Sequence, residues 1–184
     1  MNLNVNWSTI WTAIGALATV ATLCFTIVSI VRRKRVKRLK IVLSMQMSHL
    51  SQQEYSETRQ DIMTLIYDLR KRHDVFFFNE FVPTLTEFDE KKFDPHKYLH
   101  EIDKCNYFVA IILERVPSSI YFEAGYALAA GKRSIYYVTD EKAMPILMRT
   151  ASTDHSKIKL IRATGLEDIK PRILSLFRNS HGDT

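Results

Sequence analysis

No charged residue occurs before Arg32, and this charge-free start is the feature that most constrains the arrangement of the chain. Residues 7–31, WSTIWTAIGALATVATLCFTIVSIV, form a run of 25 uncharged, mostly apolar residues. As a helix rising ~1.5 Å per residue the run measures about 37 Å, enough to cross roughly 30 Å of bilayer hydrocarbon. Trp7 and Trp11 stand at one end, where an aromatic belt anchors a span at the interface. A cleaved signal peptide would carry its basic residues ahead of the apolar run, and here they follow it. The expectation is one N-terminal transmembrane helix over residues 7–31.

Arg32, Arg33, Lys34, Arg35, Lys37, Arg38 and Lys40 make residues 32–40 a basic juxtamembrane linker with no acid in it. By the positive-inside rule the linker and residues 41–184 face the cytoplasm, with the N-terminus outside. This predicts a single-pass membrane protein, its cations resting on anionic headgroups of the membrane lipids. The whole chain has 26 Lys+Arg and 20 Asp+Glu, net +6, yet beyond Lys40 there are 19 basic and 20 acidic residues. The excess charge is thus confined to one short cluster. A nucleic-acid-binding domain would spread it over a folded face, so no direct DNA binding is expected. A hydrophobic content of 46% supports a packed core rather than disorder. The roughly 145 residues after the cluster suit one domain.

Within the apolar run, Ser8, Thr12, Gly15, Thr19, Thr22, Thr26 and Ser29 follow a spacing of 4, 3, 4, 3, 4, 3. Small and hydroxylated residues on such a seam let helices approach closely in lipid, which predicts self-association. The two cysteines, Cys24 and Cys105, lack a CxxC partner and fall on opposite sides of the linker, so no disulfide is expected. His96 and His100 are four apart, but no Glu or Cys completes a metal set, and none is predicted. GxGxxG and P-loop patterns are absent, so no cofactor is expected.

After the linker the pattern alternates strand and helix. Strands are predicted at Ile41–Met45, Val75–Val82, Tyr107–Leu113, Ser134–Val138 and Ile158–Arg162. Helices are predicted from Ser51 to about Arg72, from Asp94-Pro95 to about Lys104, from Ser118 or Ser119 to Gly131, near Glu141–Thr150, and over Leu166–Asn179. YFVAIIL at 107–113 is apolar throughout, as in a strand covered on both faces of a parallel sheet. The fold expected for 41–184 is an α/β, doubly wound, flavodoxin-like five-stranded parallel sheet in the order 2-1-3-4-5. Ligands of such sheets bind beyond the carboxyl ends of the strands at the switch point, here after strands one and three.

The informative stretch is Ser118–Gly131, SSIYFEAGYALAAG, in which one carboxylate, Glu123, stands among small residues at the start of a helix. A structural acid favoured by the helix dipole is the plain alternative for that position. The succession IVLSMQMS, a long helix, VFFFNEF, FD, YFVAIIL and PSSIYFEAGYALAAGKRSIYYV resembles the nucleoside 2-deoxyribosyltransferase-like proteins, relatives of TIR domains. The resemblance covers about residues 40–138 and is densest in E-x-G-x-A-x-x-x-G-K, Glu123 to Lys132.

That resemblance implies a catalytic role for Glu123 at the anomeric carbon of a nucleoside. It further implies a toxic effector of the antiphage type, anchored in a bacterial inner (plasma) membrane among inner-membrane lipids, that cleaves N-glycosidic bonds of nucleotides or NAD. A carboxylate beside C1′ can stabilise an oxocarbenium-like centre or form a glycosyl-enzyme. Asp89 is the companion acid, to orient a ribose hydroxyl or assist the leaving base. Ser118 and Ser119 are candidates to hold a ribose hydroxyl or a 5′-phosphate at the helix start. Tyr121, Phe122 and Phe88 are candidates to stack on a base, and Ser44 and Gln46 follow the first strand into the crevice. The turn Ser44-Met45-Gln46-Met47 lacks the family's glycine, and Glu114–Ser119 replaces its Asp-rich stretch, which points to hydrolysis or binding more than base exchange. The alternative reading is a non-catalytic domain that senses a nucleotide or partner and triggers oligomerisation of the transmembrane helix and membrane disruption. A regulatory partner encoded nearby suits either.

Overall fold

The computed structural model describes residues 22–23, 25, 38–45, 50–85, 94–113 and 119–179. Arg38–Thr184 forms one compact unit and Met1–Lys37 another. Five strands, β1 (Lys40–Met45), β2 (Asp74–Phe77), β3 (Tyr107–Ile112), β4 (Arg133–Val138) and β5 (Ile158–Arg162), pair in parallel in the order β2-β1-β3-β4-β5. Between and after them run α1 (Gln52–Arg70), α2 (Pro95–Lys104), α3 (Ser119–Ala129), α4 (Ile146–Asp154) and α5 (Leu166–Asn179). The α/β parallel sheet and its strand order are those expected.

The sheet's two faces follow from the period of two along each strand. Ile41, Leu43, Val109, Ile111 and Tyr137 pack with α1 and α5 on one face. Val42, Phe108, Ala110, Tyr136 and Val138 pack with α2 and α3 on the other. The three central strands are covered on both faces, so their sequences are apolar at successive rather than alternate positions. Ser44 is an exception on β1: it lies on the α2–α3 face beside Val42 and is 7% exposed.

Local signals set the helix ends. Ser51 caps α1 in a capping box, its hydroxyl accepting from Glu54 N while the Glu54 carboxylate accepts from Ser51 N at 2.8 Å. Asp94 caps α2 by accepting from His96 N and Lys97 N, with Pro95 in the first turn. Beyond α3, Gly131 takes a left-handed φ of 67°, Gly131 N donates to Leu128 O and Lys132 N to Ala127 O, a Schellman ending. The Gly131-Lys132 end of the sequence motif is therefore a helix stop. Gly131→Ala is expected to lower stability by about 1 kcal/mol through left-handed strain alone, read as a lower urea midpoint. Only Ala124 and Ala127 of the small residues in α3 face the sheet, whereas a Cβ at Gly125 would meet nothing within 4 Å.

Three expectations are corrected. The aromatic run 75–82 pairs as a strand only through Phe77, and Phe78–Phe81 is a 3₁₀ turn. Its carbonyls are taken by side chains: Arg59 donates to Asn79 O and Glu80 O at 2.8 Å each, and Tyr55 OH donates to Val82 O at 2.5 Å. The helix expected near 141–150 is a short 3₁₀ turn at Glu141–Ala143 followed by α4, because Pro145 lacks the N–H needed to continue it. The membrane-spanning helix over 7–31 is overturned: no helix of the described residues is long and apolar enough to cross a membrane. Of that segment only Thr22, Leu23 and Phe25 are among the described residues, and they are helical. Apolar composition makes a span possible without making one. The seam positions other than Thr22, and linker residues 32–37, lie outside the described residues.

Candidate active site

Two hydroxyls converge on one carboxylate at the carboxyl end of β1. Ser44 Oγ, the next-to-last position of that strand, donates to Glu123 Oε2. Tyr98 OH donates to the same oxygen at 2.6 Å. Glu123 Oε1 accepts no hydrogen bond from the described residues. The three side chains come from β1, α2 and α3, which meet on one face of the sheet beside the β1–β3 neighbourhood where the strand order reverses.

Each contributor is placed by its own segment. Tyr98 stands one turn inside α2, four residues after the Asp94 cap, with Ile102 on the same buried stripe. Its ring rests against Phe76 and Phe78, centroids 5.9 Å away in both cases, and the residue is 4% exposed. Glu123 lies between Ile120 and Ala124, both buried, so its backbone is held close to the sheet while its side chain is half-buried. Burial pushes the Tyr98 phenol well above its ordinary range, and the negative charge of Glu123 adds to the shift. Tyr98 is therefore a standing donor, neutral across the physiological range.

Among the described residues, the arrangement leaves the carboxylate with one oxygen pinned and the other available. A freely rotating glutamate in the first turns of a helix would sample several rotamers, and two donors on Oε2 select one of them. The available oxygen can approach an electrophilic carbon without first breaking a hydrogen bond. The described residues offer no competing nucleophile in Cys105, which is 4% exposed and whose thiol burial pushes up to about 11. Nor do they contain a group of three or more His, Cys, Asp or Glu that could hold a metal ion. His96 and His100 are both exposed on α2.

Of the residues singled out from the sequence, Glu123 and Ser44 are brought into contact. Ser119 opens α3 and is exposed, Tyr121 is half-buried against the α2–α3 core, and Phe122 is 67% exposed. Gln46, Phe88, Asp89 and Ser118 lie outside the described residues. Tyr98 was not anticipated. The signal available for it was a tyrosine on the apolar stripe of a short helix, since a buried phenol needs an acceptor; the pattern does not say which acceptor.

No protein-family model and no curated protein matches the chain. Among solved structures, Clostridium botulinum CMP N-glycosidase, BcmB, superposes with a TM-score of 0.51 at 20% identity, covering 75% of this chain and 99% of that one. The two share a fold. At that identity the likeness concerns the path of the backbone, and the chemistry rests on the side chains around Glu123.

Proposed function

We propose that the domain is an N-glycosidase acting on a nucleotide, with Glu123 as the carboxylate at the anomeric carbon. The observation that carries this reading is the double clamp on Glu123 Oε2 by Ser44 and Tyr98, which leaves Oε1 as the reacting oxygen. The shared fold with a CMP N-glycosidase supports it.

The reaction breaks the bond between C1′ and the base nitrogen. The base departs with the bonding electrons and takes up a proton, while positive charge develops at C1′ and the ring oxygen. Oε1 either bonds to C1′ or stabilises that charge, and water then supplies the hydroxyl to C1′. Asp89 is the acid we assign to assist the departing base, with Ser118 and Ser119 at the 5′ side of the sugar. NAD also carries an N-glycosidic bond; its nicotinamide is a pyridinium that leaves neutral with the bonding electrons and takes up no proton. The test is direct: incubate the protein with nucleoside monophosphates and with NAD, and separate free base from intact substrate by chromatography. Release of free base that disappears in Glu123→Gln supports the reading. Binding of nucleotides without release of base in any combination overturns it in favour of a sensing domain.

A further inference from the structure

A groove of about 720 Å³ lies on the opposite face of the sheet from Glu123, between α5 and strands β3–β5. The fold's N-glycosidase reading makes no use of it. Arg133, Lys159 and Arg172 all line it, and no acidic residue is among the described residues that do. Arg172 is tied to Asp168 at 2.6 Å, and Arg133 donates to Tyr107 OH at 3.1 Å while lying over that ring. The Lys159 side chain has no hydrogen-bond or ion-pair partner among the described residues, and the residue is exposed. Tyr137, fully buried, also lines the groove, and its hydroxyl has no hydrogen-bond partner among the described residues.

An unpaired buried hydroxyl is uncommon, because desolvating it without a partner opposes folding. Beside three cations in a groove of small-molecule size, it marks a place where an acceptor is missing. We propose that this groove is a second ligand site, one that takes a small organic phosphate with its apolar body against Ile161 and Leu176, both partly exposed, and its phosphate toward Lys159 and Arg172. A phosphate dianion matches three cations of which only Arg172 is paired with an acid, Asp168, better than a monocarboxylate does, and it has oxygens to spare for the Tyr137 hydroxyl. Burial holds that phenol up at about 12, against the opposing charge of Arg172, so it meets the ligand as a neutral donor.

The test uses the full-length chain titrated calorimetrically with phenyl phosphate and, separately, with inorganic phosphate. Phenyl phosphate is expected to bind more tightly than phosphate alone, because only it occupies the apolar wall. Lys159→Glu, a change on the exposed rim, is expected to weaken phenyl phosphate binding by about tenfold, and Tyr137→Phe by about fivefold. Thermal stability should be unchanged or higher in Tyr137→Phe, since no internal hydrogen bond is removed. Glu123→Gln should leave this binding untouched, which separates the groove from the glycosidase site. Isotherms of Lys159→Glu and Tyr137→Phe that superpose on that of the unaltered chain overturn the proposal. So does a loss of affinity in Glu123→Gln, which would place the ligand on the other face, and so does a fall in the melting temperature of Tyr137→Phe.

Discussion

Glu123→Gln is expected to lower the rate of base release by about 10³-fold or more, while the protein keeps its fold. The magnitude follows from what the amide cannot do. It cannot bond to C1′ as a carboxylate, and it places no negative charge beside the developing cation; effects of this kind are worth roughly 4 kcal/mol of barrier, with each ~1.4 kcal/mol a factor of ten. The fold should survive because the amide is nearly isosteric and its oxygen can still accept from Ser44 and Tyr98, the two donors on Oε2. Turnover and circular dichroism on the same preparation make the comparison. A Gln variant that releases base at the rate of the unaltered chain would remove Glu123 from the chemistry. A variant that loses activity together with its helical signal would show that the carboxylate serves the fold.

Tyr98→Phe is expected to lower kcat by about 10–100-fold with little change in KM. A hydrogen bond to an ionised group contributes roughly 1.5–3 kcal/mol, and here it acts on the orientation of Glu123 rather than on substrate affinity. Phe preserves the packing against Phe76 and Phe78, so the ring's place in the core is retained. Ser44→Ala removes the second donor. Because both hydroxyls act on one oxygen, the double variant should depart from additivity, with a coupling of about 1 kcal/mol or more. A pH profile separates positioning from titration. The phenol of Tyr98 is pushed well above its ordinary range by burial and by Glu123, so it remains protonated below pH 10 and contributes no alkaline limb there. The rate profiles of Tyr98→Phe and of the unaltered chain should therefore run parallel over that range and differ only in height. Strictly additive single effects, or an alkaline limb that vanishes in Tyr98→Phe, would contradict the clamp.

The parts of this protein that were legible in its sequence are those governed by local rules. Asp94-Pro95 announces the start of α2, and β3 reads as a doubly covered strand because Tyr107–Ile112 is apolar at successive positions. The alternation of strand and helix, with the right-handedness of parallel crossovers, leaves few sheet orders open, and the observed order is one of them. Glu123 stood out as a lone acid among small residues, and Ser44 as a hydroxyl at the end of a strand. Tertiary structure alone decided that these two meet across 79 residues of chain, and that Tyr98 joins them from 25 residues away. Periodicity reports that a side chain is buried, but the partner it meets depends on how two helices settle on a sheet. The early end of β2 has the same origin: aromatic residues 75–82 favour a strand, and guanidinium and phenol donors from α1 capture the carbonyls that would have extended it. The groove under α5 depends on strands and a helix that are distant in sequence, so no motif marks it. The apolar run at 7–31 shows the limit from the other side, since length and hydropathy are conditions for a membrane span and not the span itself, and no helix of the described residues meets them.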